Sequence, residues 1–408
     1  MKFLFVHQNF PGQYLYILRH LVASGRHEVM FVSQPSPAAM VGVRRAIYEA
    51  PVGVESGLHP NAADYDLMLK RAEKVRGIAR NLKSLGFVPD IIIGHHGWGE
   101  TLHLVDVWPG VPLLGYFEFY YNLTGQDIGF DAEFPPSPDV GAHIRAMNAI
   151  NLMAYSLKQH GQTPTSWQHT RYPEWFRPDI GVLAEGVNLG TCKPNPDARK
   201  KTLAIGDFKV TPKDRLVTYV ARNLEPYRGV HTMLRALPTL LRQRRDVKVI
   251  MIGGDDVSYG ARRTDMSWRE YFQRDLAGKY DASRVLLPGQ VAYEMYLQIL
   301  QRSDSHVYLT YPFVTSWSLR EAMGIGAAIV ASDIPAVSEF VSHNKSGLLT
   351  PPLDSEMLAE NILRLLEDDK LNARLRLGAR RHAEKHLDNK HHIASFIKRI
   401  QELTGQLP

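Results

Sequence analysis

The chain of 408 residues contains one cysteine, Cys192, so it can form no internal disulfide and no cysteine-paired zinc site. A lone thiol fits a reducing compartment. No window approaches the roughly 18 uninterrupted apolar residues of a membrane-spanning helix. The N-terminus enters a strand-like run at once (KFLFVH), without the charged segment and apolar core of a secretory leader, which leads us to expect a cytoplasmic protein. No low-complexity tract is present. No Gly-x-Gly-x-x-Gly follows a strand: Gly324-Ile-Gly326 lies between a helix and a strand, the reverse of the order a nicotinamide dehydrogenase needs. Basic residues are dispersed rather than interleaved with aromatics along a stripe, so nucleic acid is not an expected partner.

What is present is globular and alternating. Apolar residues make up 44% and charged residues 22%, enough for two domains with sizeable cores. Residues 1–197 hold 16 basic and 18 acidic side chains, residues 198–408 hold 32 and 24, and a basic second half suits a polyanion or an anionic lipid surface. Strand-like runs occur at 3–7, 28–33, 90–94, 112–117 and 180–184, with helical patterns between them, such as 14–25 and 67–86, each closed by a glycine. The stretch 122–138 reads as a long functional loop, and the Pro- and Lys-rich 192–214 as a linker. A second strand series follows at 215–221, 247–253, 284–289, 305–310 and 327–332. The expected architecture is α/β: two Rossmann-like doubly wound domains, 1–195 and 196–385, facing a cleft, with an amphipathic segment 386–408 packing back on the first.

The most informative stretch is Ser305–Pro352, a strand, a hydroxyl-rich loop (Thr310, Thr315, Ser316, Ser318), a helix and a second strand. Such βαβ units bind anions where a strand's carboxyl end meets a helix N-terminus. Glu321, one turn into the helix, suits ribose hydroxyls, although Ser318-x-x-Glu321 equally reads as a capping box. At 217–237 a strand ends near Arg222, and a proline-containing loop leads through Arg228-Gly229 into a helix. Guanidinium forks match phosphate oxygens there, though a solvated surface role would look the same in isolation. Gly12, after the first strand, permits close backbone approach. His95, His96, Glu100 and Glu118 fall just beyond strands of the first half, where they could be site or structural groups. HHGWGE is a weak metal pattern. The aromatic run 166–178 reads as acceptor platform, membrane-interface contact or plain packing.

Together these segments resemble the retaining glycosyltransferases of family 4, with the GT-B fold. Arg222, Arg228 and Gly229 are similar to that family's arginine–lysine–glycine set, with arginine in the lysine place. Phe313 through Glu321-Ala-Met, then Gly326 and the apolar strand, resembles its glutamate-x7-glutamate motif, with phenylalanine at the first acid. Gly347-Leu348-Leu349 and Glu185-Gly186-Val187-Asn188 match its later turn and interdomain signature, while HQNFPGQ, GWGE and GYFEFYY resemble a bacterial subgroup of polysaccharide assembly.

The resemblance implies a nucleotide-sugar substrate, no cofactor and no bound metal. No Asp-x-Asp follows a strand, Asp255-Asp256 being adjacent. It implies Arg222, Arg228 and the helix start at Thr315, Ser316, Trp317 and Ser318 at the diphosphate, Gly229 in the turn, Glu321 at ribose, Val291 near the base, and Glu118 and His95 placing sugar and acceptor. Glu118 stands where the family carries a histidine. The expected acceptor is a saccharide, a lipid-linked sugar or a small molecule, with peripheral contact at the inner membrane face. A GT-B sugar-nucleotide epimerase and a non-catalytic nucleotide-sugar binder, the latter suggested by Phe313, remain the rival classes.

Overall fold

The computed structural model describes residues 1–53 and 56–408. The chain divides into two compact units, one of residues 1–124, 134–185 and 389–408, the other of 125–133 and 186–388. In the first, β1 (Lys2–Val6), β2 (Glu28–Ser33), β3 (Val43–Ile47), β4 (Ile91–His95), β5 (Leu113–Tyr116), β6 (His160–Thr163) and β7 (Ile180–Val182) form one sheet in the order 3-2-1-4-5-6-7. Every pairing is parallel. Its helices include α1 (Leu15–Ala23), α2 (Ala63–Ser84), α3 (Leu104–Val107), α4 (Val140–Met147), α5 (Ala149–Ser156) and α6 (Ser166–Arg171).

The second unit opens with an antiparallel hairpin, β8 (Leu203–Ile205) and β9 (Phe208–Val210). Its main sheet joins β10 (Arg215–Asn223), β11 (Val247–Gly254), β12 (Val285–Gly289), β13 (Ser305–Tyr308), β14 (Ile329–Ser332) and β15 (Leu348–Thr350) in the order 12-11-10-13-14-15, again all parallel. Around it lie α7 (Val230–Gln243), α8 (Trp268–Asp275), α9 (Tyr293–Arg302), α10 (Trp317–Ile325), α11 (Pro335–Ser338), α12 (Ser355–Glu367) and α13 (Asp369–His386). A last helix, α14 (Asn389–Thr404), returns to the first unit.

The sequence explains why these strands are central. Phe3, Leu4, Phe5 and Val6 are all fully buried, as a parallel strand covered on both faces requires. Alternation then sorts them. Phe3 and Phe5 pack with Ile17 and Leu21 of α1 and with Phe396 and Ile400 of α14. Leu4 and Val6 pack with Val75 and Ala79 of α2. The glycine stops hold: Gly25 (φ +65) and Gly86 (φ +83) follow α1 and α2, and the Gly25 N–H caps the Val22 carbonyl at 3.0 Å.

Five strands went unread, β3, β6, β8, β9 and β15, and three of them lack a continuous apolar signal. β3 is an edge strand carrying Arg44 and Arg45, β6 reads HGQT, and β15 has three residues. The stretch expected to be a linker holds the β8–β9 hairpin. Residues 186–195, assigned by sequence to the first domain, belong to the second unit. Val187 bridges to Asp388, and buried Cys192 packs so close to Gly324 that a Cβ there would sit 3.2 Å from its own. Residues 125–133 of the long loop also group with the second unit.

Candidate functional site

In each sheet the strand order reverses direction between two neighbours, β1/β4 and β10/β13, and the carboxyl ends at such switch points are where open α/β sheets bind ligands. In the second unit, Arg222 is exposed at the end of β10. The chain then turns through Glu225–Arg228 into α7. Gly229 makes this turn possible: it adopts φ +69, and a Cβ would stand 2.5 Å from the Cβ of Leu309. Arg228 is not a surface group. It is 5% exposed, its Nη1 donates to Thr310 Oγ1 and to the Val314 carbonyl, both at 2.9 Å, and its guanidinium lies over the Tyr259 ring. The Tyr311 N–H donates to the Tyr227 carbonyl at 3.0 Å. The two loops singled out in the sequence are therefore tied directly to each other.

α10 starts at Trp317, with Ser316 as N-cap. The Ser316 N–H donates to the Tyr308 hydroxyl at 2.8 Å, and the Ser316 and Ser318 hydroxyls pair at 2.5 Å. Thr315 is buried, and its hydroxyl has no partner among the described residues.

Glu321 forms no capping box; the chain does form one at Ser267–Glu270. Glu321 lies two residues beyond the position a capping box needs, and its carboxylate instead accepts the Tyr293 hydroxyl at 2.8 Å and the Tyr296 hydroxyl at 2.7 Å. Burial raises its pKa above the usual glutamate value, opposed by these two bonds. Each oxygen keeps one lone-pair direction for a further donor. Val291 is half-buried in the loop after β12, two residues before Tyr293.

Phe313 is 4% exposed, 4.9 Å from the Tyr259 ring and 5.8 Å from that of Tyr227. An aromatic cluster thus fills the place where the related motif carries its first acid. Sequence reading missed the support beneath it. Glu225, fully buried, accepts the N–H groups of Ser258, Tyr259 and Gly260 at 3.0–3.2 Å and so fixes the loop that carries Tyr259.

It also missed where the 122–138 loop goes. Asp127 accepts from Tyr227 at 2.6 Å, Asp131 accepts from Tyr311 at 2.6 Å and stands 3.0 Å from His231 Nε2, and Glu133 takes both Arg235 Nη atoms at 2.7 Å. Burial alone would raise the Asp131 pKa, but His231 and Tyr311 outweigh it and hold it at about 2. Asp131, Glu133 and His231 bring three metal-capable atoms within 4.8 Å of one another. Arg235 pairs with Glu133 and the Tyr311 hydroxyl donates to Asp131, so both carboxylates already have partners.

In the first unit, the switch point holds His7 and His95, ring centroids 5.5 Å apart. His95 Nε2 lies 3.3 Å from Glu118 Oε2, so the two residues singled out by sequence do meet. The imidazole is buried and the carboxylate 34% exposed. Gln168 holds Glu118 in place by donating to its backbone carbonyl at 2.6 Å, and is itself the partner of the α6 N-cap Thr165. Gly12 packs on His7; a Cβ there would lie 3.0 Å from Nδ1. The other two candidates are structural. His96 is bound between the Tyr116 carbonyl (2.8 Å) and Asn151 (2.7 Å), with its pKa lowered by burial to about 4. Glu100 is fully buried beneath Tyr48 and held above the usual glutamate range by desolvation.

Two parallel Rossmann-like units, each with charged groups gathered at its switch point, define the GT-B class. Residues 25–191 match the family described as Glycosyl transferase family 4 group, and residues 204–382 match Glycosyl transferases group 1. The chain belongs to the family 4 type of glycosyltransferases.

D-inositol 3-phosphate glycosyltransferase of Jonesia denitrificans is 26% identical over 72% of this chain and 65% of its own length. Phosphatidyl-myo-inositol mannosyltransferase of Mycolicibacterium smegmatis is 31% identical over 39% and 38%. Both matches span less than two thirds of the relative. Among solved structures, sucrose-phosphate synthase from Thermosynechococcus elongatus superposes with a TM-score of 0.72 at 17% identity, covering 99% of both chains. Anabaena HepE in complex with UDP and glucose gives 0.68 at 16%, covering 98% and 99%. These likenesses show the fold.

Proposed function

We propose that this protein is a retaining, metal-independent glycosyltransferase that moves a sugar from a nucleotide-sugar donor to an acceptor hydroxyl in polysaccharide or glycoconjugate assembly. The observation that carries this reading is the joining of two βα loops by Arg228 at the β10/β13 switch point, with exposed Arg222 beside it and the unpartnered Thr315 hydroxyl before α10. The positive end of α10, the Thr315 hydroxyl and two guanidinium ions supply a donor and positive charge for a leaving diphosphate, where other enzymes use a cation. Arg222 meets the phosphate oxygens. Arg228 shapes the loop and adds field rather than a free fork. Glu321, its outer lone pairs open, takes ribose hydroxyls, and the Val291 loop lies near the base.

In the first unit, the His95–Glu118 pair orients sugar and acceptor. In transfer, the bond from the sugar's anomeric carbon to the donor phosphate oxygen breaks and the acceptor oxygen bonds that carbon. The acceptor proton passes to a diphosphate oxygen, so no enzymic nucleophile is needed. The acceptor is a saccharide, a lipid-linked sugar or a small molecule, met in the cytoplasm at the inner membrane face. HepE's complexes with UDP and UDP-glucose make UDP-glucose the first donor to try.

The reading is tested by turnover after exhaustive chelation and in Arg222→Ala. Activity should survive EDTA, and loss that magnesium or manganese restores would defeat metal independence. Arg222→Ala should cut turnover by roughly 100-fold, the scale of one lost charge-stabilising donor, with an unchanged melting temperature because the side chain is exposed. A normal rate would place the diphosphate elsewhere. Product analysis with donor alone separates transfer from epimerisation, and donor binding without turnover on any acceptor would make the protein a binder.

A further inference from the structure

We propose that Leu152, Met153, Tyr155 and Trp175 form the surface by which this protein docks on an anionic lipid bilayer. Leu152, Met153 and Trp175 are 41%, 40% and 55% exposed. Single exposed apolar side chains are ordinary, but two of these are neighbours on one helix and the third packs on a tyrosine of that helix. Leu152, Met153 and Tyr155 share the short helix α5, and the Tyr155 ring lies 5.2 Å from that of Trp175, edge to face. Trp175 is stacked 5.6 Å from the buried Phe176 at 8°, which holds the indole outward without loss of packing. A rigid, exposed indole beside a tyrosine and two flexible aliphatic side chains suits the boundary between headgroups and acyl chains, where such rings partition.

The occupant is indicated by charge. From Val140 to Pro173, through α4, α5 and α6, the chain carries Arg145, Lys158 and Arg171 and no aspartate or glutamate, the flanking acids being Asp139 and Glu174. Arg145 and Lys158 are exposed. A second copy pairing through the same patch would bring these like charges together about its twofold axis, whereas anionic headgroups neutralise them.

This deepens the membrane-facing part of the proposed function, and its test is read apart from transfer. The whole protein is sedimented with vesicles of phosphatidylcholine, alone or with phosphatidylglycerol, at low and high salt. Wild type should sediment with the anionic vesicles only and be released by salt. Trp175→Ala with Met153→Glu should lower the bound fraction about tenfold or more, and Lys158→Glu roughly fivefold. Melting temperature and transfer to a soluble acceptor should not change in either variant. The proposal is overturned if wild type does not bind, if the variants bind as wild type does, or if the patch supports a dimer that Met153→Glu dissolves while vesicles are ignored.

Discussion

At the scale of single residues, the chemistry depends on what each side chain is held by. Glu321 is the sharpest case. Its two tyrosine bonds mean that Glu321→Gln retains an acceptor oxygen and an amide that the second hydroxyl can turn to meet, so the fold should hold. Donor affinity should fall about tenfold, since a hydrogen bond to a charged acceptor is worth about 1.5–3 kcal/mol. Glu321→Ala should also destabilise, by about 2 kcal/mol, because the Tyr296 hydroxyl is left buried and unpaired. Calorimetric titration with free nucleotide and thermal melts separate the two, and unchanged affinity in the glutamine variant would remove Glu321 from the site.

Glu118 tests the consequence of Phe313. An apolar ring packed on Tyr259 cannot accept hydroxyl hydrogen bonds, and the proposed function gives the task of holding the sugar to the carboxylate beside His95. In Glu118→Ala, nucleotide-sugar binding should weaken more than free-nucleotide binding. Equal losses, or none, would show that it does not hold the sugar.

At the scale of elements, the turn between β10 and α7 sets where Arg228 stands, beside the place proposed for the diphosphate. Gly229→Ala puts a methyl group into Leu309 at a backbone conformation L-residues avoid, so it should destabilise by about 2 kcal/mol or more and also weaken donor binding by shifting Arg228. Gly289 is the control. Its φ is +74 but nothing lies within 4 Å, so Gly289→Ala should cost only the backbone strain, about 1 kcal/mol. Paired denaturation curves decide it, and equal losses at the two sites would mean that the Leu309 contact relaxes freely.

At the scale of the whole molecule, buried histidines set the response to acid. Burial lowers His7 to about 3, and His96 and His306 to about 4, from an ordinary 6.5. Between about pH 6.5 and 4 the unfolded chain binds these protons and the folded chain does not. Stability is therefore complete above 6.5 and lost as pH falls, by up to ~1.4 kcal/mol per pH unit for each group. Glu100 and Glu321 act in the opposite sense, because a raised carboxyl pKa makes stability fall as pH rises through it. His306 is shifted by desolvation alone, so His306→Gln should flatten the profile below pH 6.5 by about one proton's slope. Parallel profiles for variant and wild type would contradict this.

Much of this molecule was open to reading in one dimension. The β/α alternation, the glycine stops of α1 and α2, the paired βα loops with Arg222 and Arg228, and the return of α14 are all written in spacings of a few residues, where propensity and amphipathic period act. The tertiary structure decided the rest. Nothing near Arg228 in sequence reports that it bonds Thr310 and Val314, more than 80 positions away. The capping box offered by Ser318 and Glu321 lost to two tyrosines on α9, because parallel strands place α9 beside α10 and a buried carboxylate is better satisfied by hydroxyls than by a helix start it has already passed. The loop at 125–133 joined the second unit for a similar reason. Its three acids find Tyr227, His231, Tyr311 and Arg235 there, and such pairing depends on the order of the strands, which no local pattern encodes.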